Sequence, residues 1–434
     1  MPNEEIEELE KKVIELQKKI YDKKIPILIL METNLKNKRS LRKEIHKVVL
    51  NFDPRDYKLY SFKEIYKKKY LRFFPFWKRI PSYGKITIFE GSYYKFFFKS
   101  IKQTSIKDIE YFEKLLYDEN YQFIKILIHN PKKIQNKFLK IIHQTNYPFA
   151  KWNLIPYQKN SFLKEIYKVL LNYFSVFLES KKEDLIPETR LKNQTETNQK
   201  EYLKKISLNQ KLTEEQYKKQ LKYYTEKLAK LQKQLINRKI PMILLFEGWD
   251  ASGKGGLIRR LVKSFDPRYY ELVSISAPNE REKSYHYLWR FWVQLPEKGH
   301  ILIFDRTWYG RVLVERVEKF CNEIQWNRAY HEINELERIL TKESILLKFW
   351  LHIDKETQYK RFIERQNTPH KQWKITEEDW RNRDKWDLYE NAIEEMFRKT
   401  DTKYCPWHII EFNYKWFGRI KVFKTIIDAI KEKL

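Results

Sequence analysis

Glu247–Leu261, EGWDASGKGGLIRRL, places four of the chain's nine glycines within nine residues. An apolar run, MILLFE (242–247), leads into it, and a helical pattern, LIRRLVKSF (257–265), follows. GWDASGK (248–254) therefore fits G-x-x-x-x-G-K between a strand and a helix. Glycines there let the backbone wrap a phosphate, with its N–H groups pointing inward and the helix N-terminus adding positive potential. The plain alternative is a tight glycine turn. With glycine so scarce elsewhere, the cluster and the lysine at that offset favour a phosphate loop. Gly248, Ser252, Gly253, Lys254, Gly255 and Gly256 are the expected phosphate contacts, and Lys254 would reach a phosphoryl group in transfer.

The position after the lysine is Gly255, so the hydroxyl that usually ligates Mg²⁺ in such loops is missing. Carboxylates are the other hard ligands for that ion. Asp250, inside the loop, and Asp305, closing the run ILIFD (301–305), are the candidates. Asp250 has a second possible role, orienting or deprotonating an acceptor oxygen. In DRTWYGR (305–311), Arg306 and Arg311 stand where they can neutralise charge on a phosphoryl group, ordinary ion pairing being the alternative. The stretch KRFIERQNTPHKQWKITEEDWRNRDKW (360–386) then puts Arg361 and Arg365 on one helix face. Pro369 breaks the pattern before Lys371 and Lys374, and Thr376 with Asp379 caps a new helix. Beside a phosphate loop, a basic helix–turn–helix reads as a lid that closes over phosphates and excludes water. Trp373, Trp380 and Trp386 are expected to pack rather than to stack on bases.

The same framework occurs twice. KKIPILILME (23–32) echoes RKIPMILLFE (238–247), FDPRDYKLYSF (52–62) echoes FDPRYYELVSI (265–275), and IPSYGKITIFEGSYY (80–94) echoes LPEKGHILIFDRTWY (295–309). Each copy opens with a charged amphipathic helix, the second bearing a capping box at Thr213 and Gln216. Apolar runs at 242–247, 270–276, 301–306, 348–354 and 407–413 alternate with helical segments. That pattern indicates a parallel sheet covered on both faces, with charged residues at the strands' carboxyl ends. The expected organisation is two tandem α/β domains, residues 1–180 and 203–434, joined by a polar linker at 181–202.

The first copy has lost the chemistry. Its loop positions read TNLKNKRSL (33–41), Glu90 stands for the strand-ending aspartate, and Gly91 stands for the arginine. His129 to Trp152 spans 23 residues where His352 to Trp407 spans 55, and the shortfall falls on the lid.

Composition sets outer bounds. A net charge of +29 and a pI near 9.6 suit polyanionic partners, although part of the excess reflects a chain rich in Lys, Ile, Asn, Tyr and Phe. Two cysteines, Cys321 and Cys405, make no disulfide framework. No secretory pattern opens the chain, and IPILILM (25–31) is too short to span a bilayer, so a cytoplasmic protein without membrane contact is expected.

GWDASGKGG, APNEREKSYHYLWRFW, LPEKGHILIFDRTWYGR and PHKQWKITEEDWRNRDKWDLYENA together resemble the polyphosphate kinase type 2 family. The tandem arrangement is similar to its two-domain branch, the polyphosphate:AMP phosphotransferases. The resemblance implies a P-loop kinase fold with a degenerate first copy. It also implies Mg²⁺ as cofactor and transfer of a terminal phosphoryl group from inorganic polyphosphate to AMP. By the same resemblance Asp250, Lys254, Asp305 and Arg306 are catalytic, with Asp250 and Asp305 on the metal. Arg365, Lys371 and Lys374 would face the polymer, Arg361 and Arg311 assisting. Asn279 and Arg290, in 277–291, are the expected acceptor-side residues. The first copy would be a scaffold standing in for a partner subunit, as a pseudo-dimer within one chain or as part of a homo-oligomer. Basic tracks such as KEIYKKKYLRFF (63–74) would add to it. Three readings compete: ADP as acceptor with ATP as product, an ATP-dependent nucleoside monophosphate kinase, and a basic nucleic-acid-binding protein with a vestigial loop. The intact loop, Asp305 and lid in one copy argue against nucleic acid as the partner.

Overall fold

The computed structural model describes residues 2–35, 38–62, 73–94, 103–130, 132, 134, 136–158, 161–179 and 201–434. The expected linker up to residue 200 and the basic track at 63–72 lie outside them.

Each copy folds into a five-stranded, all-parallel sheet. The first contains β1 (Ile27–Thr33), β2 (Tyr57–Ser61), β3 (Ile86–Glu90), β4 (Gln122–His129) and β5 (Trp152–Pro156), in the order β2-β3-β1-β4-β5. The second contains β6 (Met242–Gly248), β7 (Tyr270–Ser274), β8 (Ile301–Asp305), β9 (Ile345–His352) and β10 (Trp407–Glu411), in the equivalent order β7-β8-β6-β9-β10. Central strands of such sheets are buried on both faces, which is why β1 and β6 read as apolar runs up to their last residues and β9 is buried along its whole length, Lys348 included. Strand β9 begins at Ile345, three residues before the expected 348. Its leading Ile-Leu-Leu is as buried as the rest, whereas the charged Glu343 sits just outside. The expected helix before β6 is Glu214–Arg238. Its N-terminus carries the reciprocal Thr213 and Gln216 bonds, at 3.2 and 3.0 Å.

One compact unit comprises the chain up to Leu185 together with Pro278–Val293; the other comprises Ile186–Ala277 and Gln294–Leu434. Pro278–Val293 thus leaves the copy in which it is encoded. Within the first unit its Trp292 lies 5.4 Å from Trp77, Ser284 O accepts from Tyr83 N at 2.9 Å, and His286 N donates to Tyr121 Oη at 3.2 Å.

A charge sits in the middle of each sheet. Lys348, on β9, is fully buried. Its Nζ donates to Glu337 Oε2 (2.7 Å), Tyr309 Oη (2.9 Å) and Thr400 O (2.7 Å). Lys125, on β4, repeats this with Glu113 Oε2 (2.9 Å), Tyr94 Oη (3.1 Å) and Thr145 O (2.7 Å). An ammonium buried in this way is tolerated only because all three of its donors are used.

Candidate active site

Strand β6 ends at Gly248 with φ +148°, and a Cβ there would lie 2.6 Å from Leu351 O on β9. No side chain fits so close an approach. Ala251 (φ +57°) and Gly253 (φ +110°) turn the chain back, and the helix Lys254–Leu261 begins. In front of Gly255 nothing lies within 4 Å of a Cβ position, so the backbone at the helix N-terminus is bare. Ser252 is buried and its Oγ has no hydrogen-bond partner among the described residues. Lys254 folds over its own loop, with Nζ donating to Gly248 O at 2.5 Å and reaching Trp249 O at 3.4 Å.

The loop opens on a cavity of about 100 Å³. Of the expected catalytic residues, Asp250, Lys254 and Arg306 line it together with Gly248, and Glu378, Asn382 and Tyr389 complete its polar wall. Asp250 Oδ2 accepts from Asn382 Nδ2 at 3.0 Å, and Oδ1 stands 3.9 Å from Arg306 Nη2. Arg306 adopts φ +64°, an uncommon conformation for a side-chain-bearing residue, just past the end of β8. Burial works against its charge, yet Asp250, Glu247, Glu378 and Asp305 together hold the guanidinium above its ordinary value. Beneath the cavity, Glu247 is buried and accepts from Thr307 N (2.7 Å) and Oγ1 (2.8 Å). Burial pushes its carboxyl up against the opposing pull of Lys254.

Trp249 anchors the loop from the other side. Its indole stacks on Trp386 with ring centroids 3.7 Å apart and planes at 6°, and its Nε1 donates to His352 Nδ1 at 3.2 Å. Burial, partly offset by Asp354 and Glu411, pulls the His352 imidazole down to about 4, so the ring is neutral and accepts that bond. Unfolded histidine titrates near 6.5. Between these values the unfolded chain binds a proton that the folded chain does not, so stability rises with pH across the window. Stability contributed by this group is expected to fall by about 3 kcal/mol as pH drops from 6.5 to below 4. Thermal melts of the wild type and His352→Gln between pH 4 and 7 check this, the variant giving the flatter profile.

Arg361 departs from its expected role on phosphate. From the helix Lys355–Gln366 its Nη1 donates to Ala251 O (3.0 Å) and Ser252 O (2.7 Å), and its Nη2 to Phe412 O (2.7 Å) and Asn413 O (3.0 Å). One turn earlier, Gln358 Nε2 donates to Asp250 O at 3.1 Å. Three consecutive loop carbonyls are therefore held from one helix, and four of the guanidinium's five N–H donors are spent on backbone. Burial, with the Arg365 charge, pulls Arg361 down to about 10. A lysine cannot reproduce that fork. Arg361→Lys is expected to lower kcat by about a hundredfold, with KM for the donor moving much less, because the loop loses its shape rather than its charge. Recovery of Arg361→Ala activity by added guanidinium, measured by steady-state kinetics, checks the assignment; no recovery, or a pure KM effect, counts against it.

Other expected site residues fall elsewhere. Asp305 closes β8 and acts on Arg306 but does not line the cavity. Arg311 pairs with Glu315 at 2.9 Å, away from the cavity wall. Asn279 caps the short helix Glu280–Lys283, and Arg290 lies 3.3 Å from Glu282, so both have structural partners in Pro278–Val293, which belongs to the first unit. Arg365 is half-buried on the helix that carries Arg361, and Lys371 and Lys374 lie in the turn Pro369–Lys374. Trp386 and Trp380 pack as expected, Trp380 against Phe362, while Trp373 is 76% exposed. Trp249, Gln358, Asn382 and Tyr389 went unnoticed in the sequence. Their one local signal is the position of Trp249, Asn382 and Tyr389 inside the quoted motifs.

Among the described residues no group of three or more His, Cys, Asp or Glu side chains gathers into a complete metal cage. Mg²⁺ needs only one or two carboxylates when phosphates and water supply the rest. The donor set suits it: Asp250 and Glu378 share the cavity wall, and burial together with Asp250 holds the Asp379 carboxyl above its ordinary value. A cation relieves that crowding of acids.

In the first copy, the strand end that matches Gly248 and Asp305 is bordered by an ion pair. Arg42 Nε lies 2.5 Å from Glu90 Oε1, and only about 30 Å³ remains between Glu32, Thr33, Arg42, Glu90 and Gly91.

A family profile described as polyphosphate kinase 2 matches residues 2–165 and 211–434. The chain is 38% identical over 403 residues to a polyphosphate:AMP phosphotransferase of Pseudomonas aeruginosa, covering 82% of this chain and 80% of that protein. It is 53% identical over 216 residues to a polyphosphate:AMP phosphotransferase of Acinetobacter johnsonii, covering 50% of this chain and 45% of that protein. A solved structure assigned to polyphosphate kinase 2 from Pseudomonas aeruginosa PA01 superposes with a TM-score of 0.87 at 33% identity, covering 99% of this chain and 96% of that one.

Proposed function

Because the chain belongs to the polyphosphate kinase 2 family, we propose that it transfers the terminal phosphoryl group of inorganic polyphosphate to AMP, giving ADP. An AMP phosphate oxygen forms the new P–O bond, the bond from the terminal phosphorus to its bridging oxygen breaks, and the polymer leaves one unit shorter. The observation that carries this reading is the contrast between the copies. Asp250, Lys254 and Arg306 meet in an open cavity in the second, whereas in the first Arg42 pairs with Glu90 beside a cavity of about 30 Å³. Catalysis belongs to the second unit. Lys254, released from Gly248 O by the incoming phosphate, and Arg306 neutralise charge on the group in flight, where positioned cations contribute most. Asp250, steadied by Asn382, would hold Mg²⁺ with Glu378 on the same cavity wall, while the expected second ligand, Asp305, stands outside that wall; the ion would supply further neutralisation of the phosphate oxygens. A cytoplasmic setting goes with this reading; among the described residues no helix is long and apolar enough to cross a membrane.

A product assay tests it. Purified protein, Mg²⁺ and polyphosphate are incubated with AMP or with ADP. ADP formed from AMP is the expected result. ATP formed from ADP with AMP untouched would move the acceptor, and no transfer to either would remove polyphosphate as donor.

A further inference from the structure

The cavity holds an acid and a cation that have not closed on each other. Asp250 Oδ1 and Arg306 Nη2 stand 3.9 Å apart, although a carboxylate and a guanidinium free to move settle at about 2.8 Å. What holds them apart comes from the opposite wall. Asp250 Oδ2 accepts from Asn382 Nδ2 at 3.0 Å, and Tyr389 Oη donates to Asn382 Oδ1 and to Glu318 Oε1, each at 3.3 Å. Chemistry fixes the direction of each link. An ionised carboxylate only accepts, so the Asn382 amide must turn its NH₂ to Asp250 and its oxygen to Tyr389. Burial first, then the charges of Glu318 and Asp250, hold the Tyr389 phenol above its ordinary value, so the hydroxyl keeps its proton and serves as the donor between two oxygens.

Glu318 is the fixed end of this series. It closes the short helix Val314–Val317, its N donating to Val314 O at 2.9 Å, and Lys319 turns the backbone away at φ +58°. Its side chain is only 6% exposed, and Oε2 takes Lys385 Nζ at 2.7 Å with Arg381 Nε at 3.5 Å. Arg381 and Asn382 ride on the helix Glu377–Asp384, Lys385 joins it to the helix Trp386–Thr400, and Tyr389 lies on the second of these. One carboxylate thus grips both helices at the joint between them. Lys385 and Arg381 are themselves half-exposed, so the ion pairs alone contribute little stability.

Resting on the function proposed above, we infer that Glu318 is a positioning residue for phosphoryl transfer, which through Tyr389 and Asn382 holds Asp250 off Arg306. Without that hold the two charges pair. Pairing takes the guanidinium from the phosphoryl oxygens and the carboxylate from its own task in a single movement, so one lost contact disables two groups. Glu318 stands outside the cavity wall and touches no reacting atom, and its contribution is to geometry.

The test uses the full chain with Tyr389→Phe, which removes one hydroxyl and keeps the ring, and with Glu318→Ala. Each is expected to lower kcat for ADP formation from AMP about tenfold, while KM for AMP and for polyphosphate moves by less than about twofold. The two changes interrupt one series, so the double variant should lose no more than either single one. Melting temperatures should stay within a few degrees of wild type. A crystal structure of Tyr389→Phe gives a readout independent of turnover: Asp250 and Arg306 should close from 3.9 Å to about 2.8 Å. The positioning role is overturned by a gap that stays open, by effects that multiply to about a hundredfold in the double variant, or by a melting temperature that drops while kcat holds. A wild type that makes no ADP from AMP overturns the reaction instead, and the crystallographic distance still decides the role of Glu318.

Discussion

Lys254→Ala is expected to cut phosphoryl transfer by about a thousandfold and to leave the melting temperature within a few degrees of wild type. The lysine's Nζ rests on Gly248 O and Trp249 O, so its removal frees two carbonyls at the edge of a solvent-reached cavity and exposes no apolar core. Its loss should therefore be felt in the transition state. With the cation gone, charge developing on the phosphoryl oxygens is met by Arg306 alone from the described side chains of the cavity wall, and Arg306 already faces Asp250. Single-turnover rates with polyphosphate and AMP measure the loss. A drop of only a few-fold would show that the ammonium is not at the reacting phosphorus, and the assignment of this loop would fall with it.

Glu337→Ala should have the largest effect on stability. The carboxylate is fully buried, holds Lys348 Nζ, and accepts from Tyr309 Oη at 2.7 Å and Trp308 Nε1 at 3.2 Å. Truncating it leaves an unpaired ammonium inside a sheet, a loss of about 3–5 kcal/mol. Removing both charges with Lys348→Met and Glu337→Leu should recover most of that, since well-packed apolar groups replace a buried pair at little net cost. Denaturant titration of the single and double variants decides. If the double variant is no better than the single, the cost lies in lost packing and not in the stranded charge. The double variant should keep transfer activity, because neither Lys348 nor Glu337 lines the cavity that holds Asp250, Lys254 and Arg306.

Much of this was legible in the chain because it is local. Five apolar runs gave the strands to within a few residues, the Thr213–Gln216 spacing gave a cap, and the glycine spacing gave the loop, since Gly248 and Gly253 occupy backbone that other residues resist. The pairing of distant segments was not legible. Arg361 resembles any basic residue on an exposed helix face until the fold brings Ala251, Ser252, Phe412 and Asn413 around it. The Trp249–Trp386 stack joins residues far apart in the chain. Pro278–Val293 packs into the first unit, where Asn279 caps a short helix and Arg290 pairs with Glu282, contacts that no local pattern announces.

With catalysis in the second copy, as proposed above, the ion pair between Arg42 and Glu90 would make the loss of the first site an evolutionary ratchet. Restoring a lysine to the first loop would leave the Arg42–Glu90 pair in place, and removing Arg42 alone would strand a half-buried Glu90. At the position of Gly248, Thr33 follows ordinary extended backbone, so a glycine there would only add chain entropy to the unfolded state. Every first step back is unfavourable by itself. On the function proposed above, the duplicated copy is released from catalysis, free to drift toward whatever its surface is selected for while its twin stays bound to the reaction.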